Sequence, residues 1–139
     1  LKTQRYSQTN NWDPEAVLLI DQVGILADLY AWARFSFVGG SMSRSVHSVL
    51  ESLASGSLTF IGPKHFNNRE ALHFKNKNVK GISPVQVVQG SRDFSEKFAN
   101  LHSRWPTEYQ DELRYMVKRK SGTASIVVRW IGNNLKTWT

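Results

Sequence analysis

The chain has 139 residues, 40% of them hydrophobic, and carries a net charge of +7. That length fits one domain with a true core, and the apolar content excludes a disordered chain. The lack of cysteine excludes disulfides, thiolate metal sites and cysteine nucleophiles, and the four scattered histidines have no metal-site spacing, so no metal is expected.

Leu1 to Asn11 are polar and lack the apolar centre of a signal peptide, and no apolar run is long enough to span a bilayer. The chain starts with Leu rather than Met and is expected to be a piece of a longer protein. Val17 to Ile20 (VLLI) follow the Asp13-Pro14 turn signal and predict a buried strand. Gly24 opens GILADLYAWA, in which Ile25, Leu26, Leu29 and Trp32 or Ala33 recur at helical spacing. Phe35 to Val38 (FSFV) predict a second strand, running into Gly39-Gly40-Ser41. Ser45 to Ser55 predict a helix with Val46, Val49, Leu50 and Leu53 on its apolar face and Gly56 as its stop. Leu58 to Ile61 (LTFI) predict a third strand, broken by Gly62-Pro63.

Asn67 or Asn68 caps a helix from Arg69 to Phe74. Two short apolar pieces, Val79 to Ile82 and Val85 to Val88, flank Pro84. Ser91 to about Ser103 predict a helix capped at Ser91, and a further helix starts at Pro106 and runs to Lys120 with acidic residues early. A last helical stretch is expected from Thr123 to Asn133. Strands alternating with helices predict an α/β fold with a mostly parallel sheet. Ligands of such sheets lie beyond the carboxyl ends of the strands, which singles out the loops after Val38 and Ile61.

In the first loop, Gly39 and Gly40 let backbone N–H groups approach a ligand, Ser41 to Ser45 supply hydroxyls, and Arg44 supplies charge. The helix behind it would turn free N–H groups towards an anion. A bare Gly-Gly-Ser is also what a plain turn looks like, and neither a Walker A lysine nor a GxGxxG pattern is present. In the second loop, Pro63 restricts the turn, and Lys64, Asn67 and Arg69 are suited to phosphate oxygens or a carboxylate. Here Asn67 and Asn68 have the competing role of helix caps. His47 and Glu51 stand four apart and would share a helix face, as a ribose and phosphate grip or as a surface pair of little weight. There is no GxSxG elbow for a serine hydrolase, and nothing sets Asp21 and Asp28 around a glycosidic bond.

Taken in order, VLLIDQVGILADLYAWARFSFVGGSM and HSVLESLASGSLTFIGPKHFNN resemble the carboxyl-terminal domain of bacterial transferases of Kdo, 3-deoxy-D-manno-octulosonic acid. Members of that family have a strand ending in Asp, a Gly-containing helix start, a Tyr-x-x-Ala segment and an FVGGS loop. A His-Asn-x-x-Glu helix and a Gly-Pro-His loop with Asn-Phe follow. The resemblance implies the carboxyl-terminal, Rossmann-like half of a GT-B glycosyltransferase, spanning residues 1–139 as one donor-binding domain. It implies CMP-Kdo as donor substrate, no cofactor, and a lipid A precursor as acceptor. The acceptor would be held by an amino-terminal domain outside this sequence, which also carries the general base. Gly39, Gly40, Ser41, His47, Glu51, Gly62, Pro63, Lys64 and Asn67 fall at the family's donor-binding positions, with Glu51 where the family grips a ribose. The implied place is the cytoplasmic face of the bacterial inner membrane, against anionic lipid.

This sequence departs from the family at several positions. Ile25 replaces a glutamate, Ser45-Val46 replace Gly-Gly, Ser48 replaces an asparagine, and Ser52 stands for proline or alanine. Lys64 stands where histidine is usual, and Asn68 where phenylalanine is. These changes leave open a degenerate, non-catalytic binding module, or a domain for another nucleotide sugar. A nucleic-acid partner is not expected, because no RNA-recognition or helix-turn-helix motif accompanies the basic charge. That charge concentrates in Lys64 to Lys80 and in Lys118 to Lys120, the second cluster being read as a solvated helix end.

Overall fold

A computed structural model describes residues 1–120. Two parallel sheets organise them. Strands β1 (Thr3–Arg5) and β2 (Val17–Leu19) form a pair, and β3 (Phe35–Phe37), β4 (Leu58–Ile61) and β5 (Val85–Val87) form a three-stranded sheet in that order. All pairings are parallel. Helices α1 (Leu26–Tyr30), α2 (Leu50–Ala54), α3 (Arg69–Lys75) and α4 (Ser91–Ser103) alternate with the strands, and residues 109–120 form a further helix, α5. The α/β architecture with parallel strands and flanking helices is the one expected. The stretch from Thr123 to Asn133, expected to be helical, lies outside the described residues.

The alternation of side chains along β3 and β4 decides what each face of the larger sheet meets. Phe35, Phe37 and Phe60 point to α4, where Phe35 meets Phe98 edge-on at 5.1 Å and Phe60 meets Phe94 at 4.9 Å. Ser36 and Thr59 point to the opposite face, where Ser52 of α2 bridges them through hydroxyl contacts of 2.5 and 2.7 Å. Helix α5 adds Tyr109, Leu113 and Val117, one turn apart and buried. Every residue of β4 is buried, as a central parallel strand requires. Each large side chain so covered contributes about 1.5–3 kcal/mol of transfer free energy. The Tyr109 hydroxyl is enclosed without a partner among the described residues, and burial raises its pKa.

Several elements differ from expectation. Strand β2 is not buried: Val17 and Leu19 are 46% and 51% exposed, because its partner β1 is a short polar strand and α1 buries none of its residues. The apolar pattern gave no sign of β1. Helix α2 covers five residues rather than the whole of 45–55. Val46 and Val49 are still buried, but Val46 reaches the core from irregular backbone, and Leu50 stays exposed. The carbonyl of His47, which a helix would spend on residue 51, instead accepts from the Asn68 side chain at 3.2 Å. Helical hydrogen bonding begins at the Val49 carbonyl, which accepts from Leu53 N–H.

Asn68, not Asn67, caps α3, accepting from Ala71 N–H at 2.8 Å. Ser91 does not cap α4. Gly90 occupies the cap position, and Asp93 reaches back to accept from Gln89 N–H at 2.9 Å. Helix α5 begins three residues after Pro106, past Glu108 with its left-handed φ of 66°. Of the two short apolar pieces around Pro84, Val79 and Ile82 close a tight antiparallel bridge and Val85–Val87 form β5.

Candidate functional site

The loop after β3 and the loop after β4 meet at the carboxyl end of the larger sheet. The buried Ser41 hydroxyl accepts from Gly62 N–H at 2.6 Å, and the Ser41 carbonyl accepts from Lys64 N–H at 2.9 Å. The Lys64 ammonium donates to the Ser43 carbonyl at 2.7 Å. A β-carbon on Gly62 would stand 2.5 Å from Met42 Sδ and 2.8 Å from the Ser41 carbonyl, so only glycine permits this approach. Gly40, at φ +91°, is equally constrained. A side chain there would strike the Ser45 carbonyl and come within 3.1 Å of the His47 ring.

This geometry brings Gly39, Gly40, Ser41, His47, Gly62 and Lys64 into one cluster. The N–H groups of Gly39, Gly40, Ser41 and Met42 donate to no other described residue. The Gly40 carbonyl, in contrast, accepts from both Ser43 and Arg44 N–H. The result is a turn in which the N–H groups of Gly39, Gly40 and Met42, next to the wholly buried Ser41, have no acceptor among the described residues, an arrangement suited to an anion. Gly39 faces open space, and the exposed Arg44 forms no ion pair among the described residues.

The remaining expected residues behave differently. Ser41 is wholly buried and acts as the joint between the loops. Pro63 is half-buried, and its carbonyl accepts from His65 N–H. Asn67 is exposed and makes no hydrogen bond with a described residue. Glu51 sits at the start of α2 and faces α1, where its charge adds to the burial that raises the pKa of Tyr30. His47 precedes that helix, so the shared helical face expected of His47 and Glu51 does not form. With only five residues, α2 does not supply the anion-facing helix end that the loop was expected to lead into.

Two residues central to the geometry were not singled out for it. Asn68 ties α3 to the strand-end loop through the His47 carbonyl, beyond its role as a cap. His65 is 3% exposed, with Nδ1 3.2 Å from the Gly62 carbonyl and Nε2 3.0 Å from Lys75 Nζ. An ammonium only donates, so Nε2 accepts and the proton rests on Nδ1, which donates to Gly62. The sequence signal was a histidine one position past the family's Gly-Pro-His register. Two departures also gain a structural reason: Val46 fills the core, and the Ser52 hydroxyl joins α2 to β3 and β4.

A cleft of about 250 Å³ opens beside the cluster, lined by Phe37, Met42, Val88, Gly90, Ser91 and Phe94. Larger cavities lie elsewhere. One of about 490 Å³ is walled by Arg34, His102 and Trp105, and one of about 530 Å³ lies between α3 and α5. The small cleft reaches the cluster through Met42, and chemistry outweighs volume in choosing the site. Among the described residues no group of three or more acidic, histidine or cysteine side chains is placed to hold a metal, and no helix is long and apolar enough to cross a membrane.

No family model matches the chain, nor does any curated protein. Among solved structures, it is similar to the crystal structure of the C-terminal CMP-Kdo binding domain of WaaA from Acinetobacter baumannii, with a TM-score of 0.68 and 24% identity. The match covers 86% of this chain and 60% of that one. The likeness establishes the fold as Rossmann-like α/β, a parallel sheet flanked by helices, of the kind that forms half of a GT-B architecture.

Proposed function

We propose that this chain is the donor-binding domain of a GT-B glycosyltransferase that moves Kdo from CMP-Kdo to a lipid A precursor. The observation that carries this reading is the run of unspent N–H groups from Gly39 to Met42, held open by the clamp between Ser41 and Gly62. Those donors would face the donor's phosphate or the sugar carboxylate, with His47 beside Gly40 and the Lys64 ammonium fixed on the same loop. Glu51 would accept from the ribose hydroxyls. The apolar cleft at Phe37, Met42 and Phe94 is suited to the flat face of a base. The acceptor hydroxyl would attack the anomeric carbon as CMP leaves, and this domain would position the donor and stabilise the leaving phosphate. The acceptor and the general base would belong to a second domain, and the whole protein would work at the cytoplasmic face of the inner membrane.

A second reading, a non-catalytic module or one for a different nucleotide sugar, is favoured by one observation: His47 is not on the helix of Glu51. Calorimetric titration of the chain with CMP, UDP and GDP, and with short DNA as a control, separates these readings. Selective CMP binding that weakens about tenfold or more in Glu51→Ala supports the donor reading, since a charge-assisted hydrogen bond is worth about 1.5–3 kcal/mol. Selective binding of UDP or GDP would assign the site to another donor. A folded sample that binds none of them would remove the donor reading of this chain.

A further inference from the structure

The carboxyl-terminal ends of the two basic stretches, Lys77 of the first and Arg119 and Lys120 of the second, meet on one surface. The last turn of α3 and the last turns of α5 lie side by side. Lys120 Nζ stands 5.1 Å from the centre of the Phe74 ring, and Lys77 and Lys120 both act on His73. The end of α5 therefore lies against α3, while Lys118, Arg119 and Lys120 stay exposed as a solvated helix end. Between the two helices runs the cavity of about 530 Å³, lined by His73, Lys77, Glu112, Tyr115, Met116 and Arg119.

The charges of this groove are unbalanced. Its carboxylate, Glu112, is engaged by Lys80 at 2.7 Å, and Lys77 and Arg119 form no ion pair with a described residue. The same positive crowding, after burial, lowers the pKa of His73. Within the groove Tyr115 is 64% exposed, with Arg119 5.8 Å from its ring centre, and Met116 lies beside it. Cations thus surround an apolar floor with an amphipathic aromatic at its edge.

We propose that this α3–α5 groove is a docking surface for an anionic lipid bilayer, with Lys77 and Arg119 meeting headgroup phosphates and Tyr115 entering the headgroup layer. Exposed cations next to an exposed tyrosine match the chemistry of a membrane interface. Single-stranded nucleic acid fits less well, because Arg119 already lies over the Tyr115 ring that a base would stack on. The inference deepens the membrane placement of the proposed function by naming the surface, while its geometry is independent of the donor loops.

Cosedimentation of the full chain with phosphatidylcholine vesicles, with and without phosphatidylglycerol, tests it. Retention on the anionic vesicles alone is expected, weakening as salt shortens the screening length below about 10 Å. The double variant Lys77→Glu, Arg119→Glu should bind these vesicles about tenfold or more weakly, since each cation near such a surface is worth roughly a fivefold change. Lys77→Gln alone should lose about fivefold by the same reasoning and leave the fold's circular dichroism unchanged. Equal retention on neutral vesicles, or variants that bind as the wild type does, would overturn the proposal. So would short duplex DNA that displaces the chain from vesicles at equal phosphate concentration. The CMP titration of these variants stays as in the wild type, so failure here is distinct from failure of the donor reading.

Discussion

The two parallel sheets of this molecule are built on the same pairing geometry but differ in cover. Strand β4 has β3 and β5 on its edges, α4 on one face and the hydroxyl chain of α2 on the other, and all four of its residues are buried. Strand β2 has one partner, and its apolar residues Val17 and Leu19 remain about half exposed, together with Leu26, Leu29 and Trp32 on or next to α1. What secures the smaller sheet is polar. Lys2 pairs with Asp13 at 2.6 Å, and Asp21 accepts from the hydroxyl and N–H of Ser7 at 2.6 and 3.1 Å. Parallel pairing alone therefore does not make a core. Helices on both faces do, and the strand-end loops that form the candidate site hang from the sheet that has them.

The largest expected contrast follows directly. Phe60→Ala removes a ring packed against Phe94, Phe35 and Phe98 and should cost about 3–5 kcal/mol in a urea unfolding experiment. Leu19→Ala, at a half-exposed position, should change stability by about 0.5 kcal/mol or less. Similar losses at the two positions would mean that the smaller sheet is covered in solution and that the contrast is false.

A second contrast lies within the site and is smaller. Gly62→Ala places a methyl group 2.5 Å from Met42 and 2.8 Å from the Ser41 backbone, and should cost about 1–3 kcal/mol while pushing the two loops apart. Gly39→Ala meets nothing within 4 Å and should be nearly silent in stability. On the proposed function, CMP binding is lost in the first variant by displacement of the loop and weakened in the second by the methyl group in the ligand's path. Melting temperature read beside calorimetry separates the two effects. A Gly62→Ala protein with unchanged stability would show that the clamp yields without cost.

These contrasts also mark what the sequence could reveal. The apolar run Leu58 to Ile61 and the punctuating Gly62-Pro63 give β4 and its loop correctly, because burial on both faces leaves a continuous hydrophobic signature. The same signature at Val17 to Ile20 predicts burial that the smaller sheet does not supply, since a run of apolar residues reports readiness for cover and not its presence. Helix α2 was overextended because Val46, Val49 and Leu53 keep helical spacing. The deciding bond, from Asn68 to the His47 carbonyl, joins residues 21 apart in sequence and leaves no local trace. The Gly39, Gly40 and Gly62 positions were legible as loop glycines. That Ser41 is their joint rather than a ligand-facing hydroxyl is a tertiary fact, as is the His65 to Lys75 contact behind them.

The smallest expected effect concerns acid, and it addresses the polar ties of the smaller sheet. The Asp13 carboxyl is held below its ordinary pKa by the Lys2 ammonium and then by Glu15 N–H, and that of Asp21 by the Ser7 hydroxyl and then by Ser7 N–H. A carboxyl whose folded pKa lies below its unfolded value contributes stability above the unfolded value, near pH 4, and loses it as pH falls through the folded value. Acidification below about pH 4 should therefore shift the amide resonances of Leu18 and Leu19 before those of Thr59 and Phe60. Asp93 on α4 is lowered as well, by Gln89 N–H and then by Lys97, but α4 is also held by Phe94, Phe98 and Leu101 in the core and should stay docked. Asp21→Asn isolates the cause. It should reproduce at neutral pH part of the shift that acid brings to β2, and leave a smaller acid response. If β4 responds at the same pH as β2, the two sheets form one cooperative unit, and the aspartate ties then secure the larger sheet as well as the smaller one.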